Sequence, residues 1–220
     1  MKRINIVLVS LLAAVFLGGC TKDLEDSSRI TYYPIITVNG ENLITIIVGG
    51  SYTDAGAKAF AGETELQIKT EGSVNTNVAG VYTITYTAVN VDGFSSVDKR
   101  YVGVMTQEAL DDNLTGKYRR TAGKQGTSEW TKIKAGVYKC TDVGGAILPD
   151  QYAYVFNIEK NIFVVPTQPL GGTGSDVKCT NATGGEKIDF VPGGAGTTSY
   201  KWIVINSGYG ASVRSFKKVE

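Results

Sequence analysis

The sequence predicts an all-β protein, and three observations predict it. Its 220 residues include 27 glycines and 12 tyrosines among frequent threonines and valines, a composition that favours short strands and tight turns over helices. Tyr82, Ile84, Tyr86 and Ala88 alternate with Thr83, Thr85 and Thr87, the period of a strand with one buried face and one wet face. Turn-forming stretches punctuate the chain at Asn39-Gly40, Asp92-Gly93, Ala135-Gly136 and Glu159-Lys160-Asn161.

Residues 1–19 stand apart from any fold. Lys2 and Arg3 give a positive start, Ile4 to Phe16 an apolar run, and Leu17-Gly18-Gly19 brings small residues up to Cys20. The apolar run holds 13 residues, short of the roughly 20 that a helix needs to cross a bilayer core. The pattern resembles the lipobox of bacterial lipoproteins, which implies a signal peptide over 1–19, lipid attachment at Cys20 and a stable membrane anchor. Plain secretion with an unmodified thiol is the competing reading. The following Thr21, Lys22, Asp23, Leu24, Glu25 and Asp26 resemble the export signal of Bacteroidota lipoproteins, which implies an outer-membrane protein facing the exterior, with 20–33 as lipidated tether.

Residues 34–105 read as a first domain, with strands at 34–38, 43–48, 66–70, 80–90 and 94–105. Asn39-Gly40 is expected to turn the first two strands into a hairpin, and Asp92-Gly93 the last two. Tyr52-Thr53-Asp54-Ala55-Gly56-Ala57-Lys58-Ala59, then Asn77 through Tyr86, then Asn90-Val91-Asp92-Gly93 resemble the bacterial immunoglobulin-like domain of cell-surface proteins and one group of insecticidal crystal toxins. That resemblance implies an immunoglobulin-like β-sandwich serving as a spacer. Lys99-Arg100-Tyr101-Val102 departs from the family's usual run of arginine, threonine and valine, which leaves the register of the last strand open. Asp54 and Asp92 lack the company of carboxylates that a calcium cage requires and are read as turn formers.

The one stretch of helical character, Gln107 to Asn113 with Thr106 as its cap, is read as a linker over 106–114. Residues 115–220 then carry eight expected strands, at 117–121, 129–134, 137–141, 152–159, 162–165, 187–191, 200–206 and 212–217. They are expected to form a meander closed as a small β-barrel or folded as a β-sandwich. Tyr152, Tyr154, Phe156 and Ile158 alternate as a core face. Leu114-Thr115-Gly116-Lys117-Tyr118-Arg119-Arg120, Gly136-Val137-Tyr138 and Thr141-Asp142-Val143-Gly144-Gly145 resemble the C-terminal domain of a poorly characterised family of Bacteroidota lipoproteins. Its members look like accessory proteins of polysaccharide-utilisation systems.

Cys140 and Cys179 are the thiols left once Cys20 is acylated. A disulfide between them and two separately buried thiols are both open readings. Taking Lys2 and Arg3 from the 22 basic residues leaves 20 against 21 acidic ones, a net charge near −1. Without a basic stripe interleaved with aromatics, no nucleic-acid partner is expected.

The chain contains no histidine, which excludes a serine-histidine triad and any histidine zinc site. A pair of carboxylates about 5 to 9 Å apart could still hydrolyse a glycosidic bond. Asp111, Asp112, Asp142, Asp150, Glu159, Asp176, Glu186 and Asp189 are the candidates, and most of them fall beside turns or in the linker. The glycine runs at 171–174 and 193–196 lack the lysine and helix of a phosphate loop. No cofactor, metal or enzymatic activity is expected.

Aromatic residues carry the remaining signal, since a sugar ring stacks its apolar face on an exposed indole or phenol. Trp130, Tyr138, Trp202 and Tyr209 are the candidate ligand-binding residues, with Tyr200 in the same pool and Asp142 and Asn206 as polar companions. The expected function is a membrane-anchored, non-catalytic binding lipoprotein that captures glycan. A structural subunit docking on an outer-membrane transporter or neighbouring lipoprotein is the rival.

Overall fold

Two sheets facing one another come first along the chain in the computed structural model, which describes residues 30–192 and 198–219. Strands β1 (Ile35–Val38), β3 (Ala57–Ala61) and β4 (Thr64–Glu65) form one sheet. The other has the order β2 (Leu43–Ile47), β7 (Ser95–Met105), β6 (Gly80–Val89) and β5 (Ile68–Glu71), with β2 parallel to β7 and the other neighbours antiparallel. Ile84 and Tyr86 meet Val38 between the sheets, as the alternation of β6 requires. The signal-like segment, Cys20 and the tether through Arg29 lie outside the described residues, as does the glycine run from Gly193.

One strand connection differs from expectation. Asn39-Gly40 does turn the chain, with Gly40 at φ +78°, but β1 and β2 belong to different sheets and do not pair. The Asn39 side chain instead donates to Ala55 O at 2.9 Å, tying the turn to the chain entering β3. β3 and β4 escaped the sequence reading because Ala57, Ala59 and Ala61 carry little strand propensity. Ala59 is nonetheless fully buried, chosen for size rather than for branching. Asp92-Gly93 forms the expected β6–β7 hairpin, with Gly93 at φ +86°.

A buried charge pins this sandwich. Arg100, on the inner face of β7, is 2% exposed and pairs with Asp54. Its guanidinium also donates to Tyr86 Oη at 2.8 Å, to Glu41 O at 3.1 Å and to the Asn39 carbonyl. Asp54 accepts from Tyr52 Oη at 2.8 Å, from Tyr86 Oη at 2.7 Å and from Gly56 N at 3.0 Å. A buried pair holds only when its remaining lone pairs and protons are satisfied in this way. Burial pushes the Asp54 carboxyl up, but hydrogen bonds from Tyr86, Tyr52 and Arg100 and the arginine charge outweigh it and hold the carboxyl below its usual range.

The second body is a closed barrel. Strands β8 (Gly116–Arg120), β9 (Thr127–Lys134), β10 (Val137–Thr141), β11 (Tyr152–Glu159) and β12 (Ile162–Pro169) run as antiparallel neighbours. The next position is shared by two segments, β13 (Asp176–Thr180) and β14 (Ile188–Val191). β13 pairs with the later part of β12 and of β15 (Ser199–Ile205), and β14 with their beginnings. β16 (Val213–Lys218) pairs with β15 and closes the ring on β8. The result is an up-and-down barrel of eight strand positions.

β13 is not among the strands expected from the sequence. β12 runs past its expected end at 165 because Pro166 falls where the register with β13 shifts, a place where a missing N–H does no harm. The Ala135-Gly136 and Lys160-Asn161 turns form as expected, with Gly136 at φ +70° and Asn161 at φ +61°.

Aromatic rings fill the barrel. Tyr118, Trp130, Phe163, Phe190, Tyr200, Trp202 and Phe216 belong to one buried cluster. Trp130 and Trp202 lie 6.1 Å apart and nearly parallel, and Trp130 Nε1 donates to Tyr200 Oη at 3.2 Å. Cys140 and Cys179 sit in the same cluster as free thiols, so of the two readings the separately buried thiols hold and the bridge does not. Burial pushes both thiols well above the ordinary cysteine range.

Sandwich and barrel belong to one compact unit from Tyr33 onward. The inner face of β7 carries Arg100, Val102 and Val104. Its outer face presents Tyr101, Gly103 and Met105 to the barrel wall, where Tyr101 and Met105 join Val137, Phe156, Ile158 and Val164 in a second buried cluster. A Cβ on Gly103 would come within 2.5 Å of Met105 Cε and 2.9 Å of Phe156 Cδ1. The linker is docked rather than free. Its single turn α1 (Gln107–Asp111) is capped by Thr106 as expected, Ala109 is buried, and Asn157 Nδ2 donates to Ala109 O at 3.1 Å. Lys132 Nζ holds the Asp112 carbonyl at 2.8 Å and Tyr138 Oη does so at 2.9 Å.

Two outcomes follow. Asp54→Asn should destabilise the protein at pH 7 by about 3 kcal/mol, the range for breaking a buried pair from one side, read by urea denaturation. Because the folded carboxyl titrates low, this stabilisation is fully present above the unfolded value of about 3.9 and is lost as pH falls through the folded value. The gap between wild type and variant should therefore close on acidification. Gly103→Val should prise β7 from the barrel, exposing the 106–114 linker to protease and splitting a single unfolding transition into two.

Candidate functional site

The packing of β7 against the barrel leaves a cleft of 780 Å³ where the two surfaces diverge. Its sandwich side carries Leu43, Val97, Lys99 and Tyr101. Its barrel side carries Tyr152 and Tyr154 from β11, Gln168 and Pro169 from β12, and Asp176 from β13. Pockets of this size at the junction of two bodies are common places for small ligands.

The tyrosines are set by the alternation of β11. Ala153 and Val155 face the barrel interior, so Tyr152, Tyr154, Phe156 and Ile158 share the outer face. The sequence reading took these four as a core face. Phe156 and Ile158 do become core, but beneath the sandwich, while Tyr152 and Tyr154 run beyond its cover and stay half-buried in the cleft. Their rings lie 5.8 Å apart at 68°. Lys139 Nζ stands 4.0 Å over the Tyr152 ring centroid, a cation–π contact. Gly171 lies so close that a Cβ there would come within 2.0 Å of Tyr152 Cε1.

Gln168 fixes Tyr154. Its Oε1 accepts from Tyr154 N at 2.7 Å and its Nε2 donates to Tyr154 O at 2.8 Å. A side-chain amide thus takes the place of ladder bonds beyond Phe156 and Val164, where the β11–β12 pairing ends, and the ring is held on a satisfied backbone. Tyr101 is tied across the cleft by its hydroxyl, which donates to Thr167 O at 3.1 Å. Burial, with the charges of Asp176 and Asp98 added to it, pushes the Tyr101 phenol well up.

Charges rim the cleft in pairs. Lys99 Nζ meets Asp176 Oδ2 at 3.4 Å, joining sandwich to barrel. Lys134 binds the Glu41 carboxylate, holding it below the usual carboxylate range, and also Leu43 O at 2.8 Å. Among the described residues no group of three or more His, Cys, Asp or Glu side chains gathers as a metal site. The arrangement offers aromatic faces below and hydrogen-bonding groups around them.

The aromatic residues singled out from sequence are elsewhere. Trp130, Tyr138 and Trp202 are fully buried inside the barrel and present no ring to solvent. Tyr200 is buried with them. The Trp202 face was ambiguous in sequence because Ile203 and Ile205 make the opposite face apolar too. Closure of the barrel resolves it inward. Tyr209 is half-buried at a barrel end, where its hydroxyl donates to Gln151 Oε1 at 2.6 Å. These five residues therefore form no exposed shelf.

Asp142 is buried, with its carboxylate accepting from Ala146 N at 2.8 Å, Ile147 N at 3.0 Å and Leu148 N at 3.2 Å. It shapes the 142–151 loop. Asn206 is likewise spent on Ser175 Oγ at 2.8 Å and Asp176 O at 2.7 Å. Of the acids weighed for hydrolysis, Asp176 is the one that lines the cleft. The signal that could have found the site was β11 itself, apolar on both faces at its centre and tyrosine-bearing on one face toward its start.

Residues 36–104 match the family model of the bacterial surface protein Ig-like domain. No curated protein matches the chain. Among solved structures, a lipoprotein from Bacteroides thetaiotaomicron aligns with 22% identity and a TM-score of 0.37 over 85% of this chain and 100% of its own. The M60 catalytic domain with two CBM51 domains of Clostridium perfringens ZmpB aligns with 13% identity and a TM-score of 0.28, over 86% of this chain and 23% of that one. The paired sheets and the family match agree: over 36–104 this chain is similar to a bacterial surface Ig-like domain.

Proposed function

We propose that this protein is a membrane-anchored, outward-facing, non-catalytic binding lipoprotein, and that it captures glycan in the cleft between sandwich and barrel. The observation that carries the reading is the pair of half-buried rings, Tyr152 and Tyr154, the latter held on a fixed backbone by Gln168, at the base of a 780 Å³ cleft. A sugar ring has apolar CH faces for such rings and a hydroxyl rim for the carboxylates, ammonium groups and amide edges around them. The similarity of 36–104 to a bacterial surface domain supports the location, and the Cys20 segment supports the anchor.

In this reading the sandwich is more than a spacer. Lys99 and Tyr101 supply one wall of the site, so sandwich and barrel bind as one piece. Preorganisation of this kind lowers the ordering cost of a weak, multi-point ligand.

Calorimetry or affinity gels against a glycan panel test it. Tyr154→Ala and Tyr152→Ala should each weaken binding about five- to tenfold, the worth of one aromatic contact, whereas Trp130→Phe should leave affinity unchanged. Unaltered binding in both tyrosine variants would remove the cleft from the account. A stoichiometric partner on purification, with no sugar bound across the panel, would favour the transporter-docking role.

A further inference from the structure

The end of the barrel bearing the 121–126, 142–151, 170–175 and 206–212 loops holds a second feature, and it shares no residue with the cleft. Arg214 on β16 stands opposite Trp202 of β15, and Arg120 on β8 stands opposite Phe216 of β16. Opposed residues share a face of a sheet, and Trp202 and Phe216 belong to the interior cluster. Both arginines therefore project inward. Across β8 and β16 they are diagonal neighbours, about 7–8 Å apart at Cα.

Arg214 is 6% exposed, beside the interior aromatic rings of Trp202 and Phe216. Its Nη1 donates to Gly210 O at 3.3 Å and Ser212 O at 3.2 Å, and its Nη2 to Gly210 O at 3.3 Å. Its Nε is buried without a partner, and so is that of Arg120, whose Nη1 reaches Gly144 O at 3.4 Å. Trp202 Nε1, on the residue opposite Arg214, is a third buried donor without a partner. Backbone carbonyls thus engage the guanidinium tips, and the inner N–H groups are left over.

Among the described residues no ion pair joins either guanidinium to a carboxylate. Asp142, the buried acid of the same loops, has its oxygens taken by three backbone N–H groups. Burial, together with the Arg120 charge, pulls Arg214 below the ordinary arginine range. A buried cation beside a half-buried one is costly unless an anion completes them. Tyr209 covers the group: its ring centroid lies 5.0 Å from Arg214 Cζ, and a Cβ on Gly144 would come within 2.2 Å of its Cε1. Mouths of small barrels are recurrent ligand sites.

We propose that Arg120 and Arg214, beneath Tyr209, form a binding site for one oxyanion, a carboxylate or sulfate group that accepts from the inner guanidinium N–H groups. Guanidinium matches the geometry of such oxygens better than ammonium does. The group can arrive on an acidic sugar or as a free ion.

The test follows the arginine Nε–Hε cross-peaks of the full chain by NMR during titration with sodium glucuronate or sodium sulfate, with sodium chloride at matched ionic strength as control. Saturable shifts at Arg120 and Arg214 with glucuronate but not sulfate assign a sugar-borne carboxylate. Shifts with sulfate assign a tetrahedral or general oxyanion. Arg214→Gln should weaken the interaction about tenfold, the equivalent of one hydrogen bond to a charged group. Arg214→Lys, which keeps the charge and guards against misfolding of the first variant, should weaken it similarly because it lacks the fork. Absence of saturable shifts, equal shifts in chloride, or unchanged affinity in the lysine variant would overturn the proposal. Cleft variants leave these shifts in place, so the two sites fail independently.

Discussion

The whole arrangement depends on the second half of β7, Arg100 to Met105, being buried on both faces. Its inner face closes the sandwich through Arg100, Val102 and Val104, and its outer face closes onto the barrel through Tyr101, Gly103 and Met105. Gly103 makes this feasible, since any side chain there would meet Met105 and Phe156. Met105 in turn rests against Gly136 in the β9–β10 turn, where a Cβ would come within 2.1 Å of its sulfur. Two bare backbone positions thus set how near one body comes to the other. The cleft is what remains beyond that contact.

The Arg100 network fits the same constraint. From Arg100 onward β7 has no wet face and nowhere to place a charge except among partners, and Arg100 finds Asp54, Tyr86 and three carbonyls. This interaction couples the turn at Asn39, the segment at 52–56 and β6 to the strand that also faces the barrel. Position along β7 sets its role: charged and tyrosine-bearing at the cleft, apolar at the contact.

Much of this was legible in the residues. Period-two alternation located β6, β11 and β15, and the turn stretches at 92–93, 135–136 and 160–161 located their hairpins. Asn39-Gly40 misled because a turn sequence specifies a change of direction and not which strand lies on the far side. Ala57–Ala61 was silent because small residues buried for fit leave no periodic trace. The site was the least legible part. The sequence shows that Trp130 and Trp202 are large and apolar, but only ring closure decides that they fill a barrel rather than line a groove. Conversely, the apolar face of β11 reads as core whether its cover is its own sheet or a neighbouring body. Tyr152 and Tyr154 are distinguished only by where the sandwich stops.

The placement of the indoles has a practical corollary. Both tryptophans of the chain stand side by side in the barrel, dry and within hydrogen-bonding or ring contact of Tyr200. Tryptophan emission, excited at a wavelength that tyrosine does not absorb, is accordingly a report on that one compartment. Loosening of the immunoglobulin-like half would pass unseen in the same optical channel unless it disturbed the barrel as well.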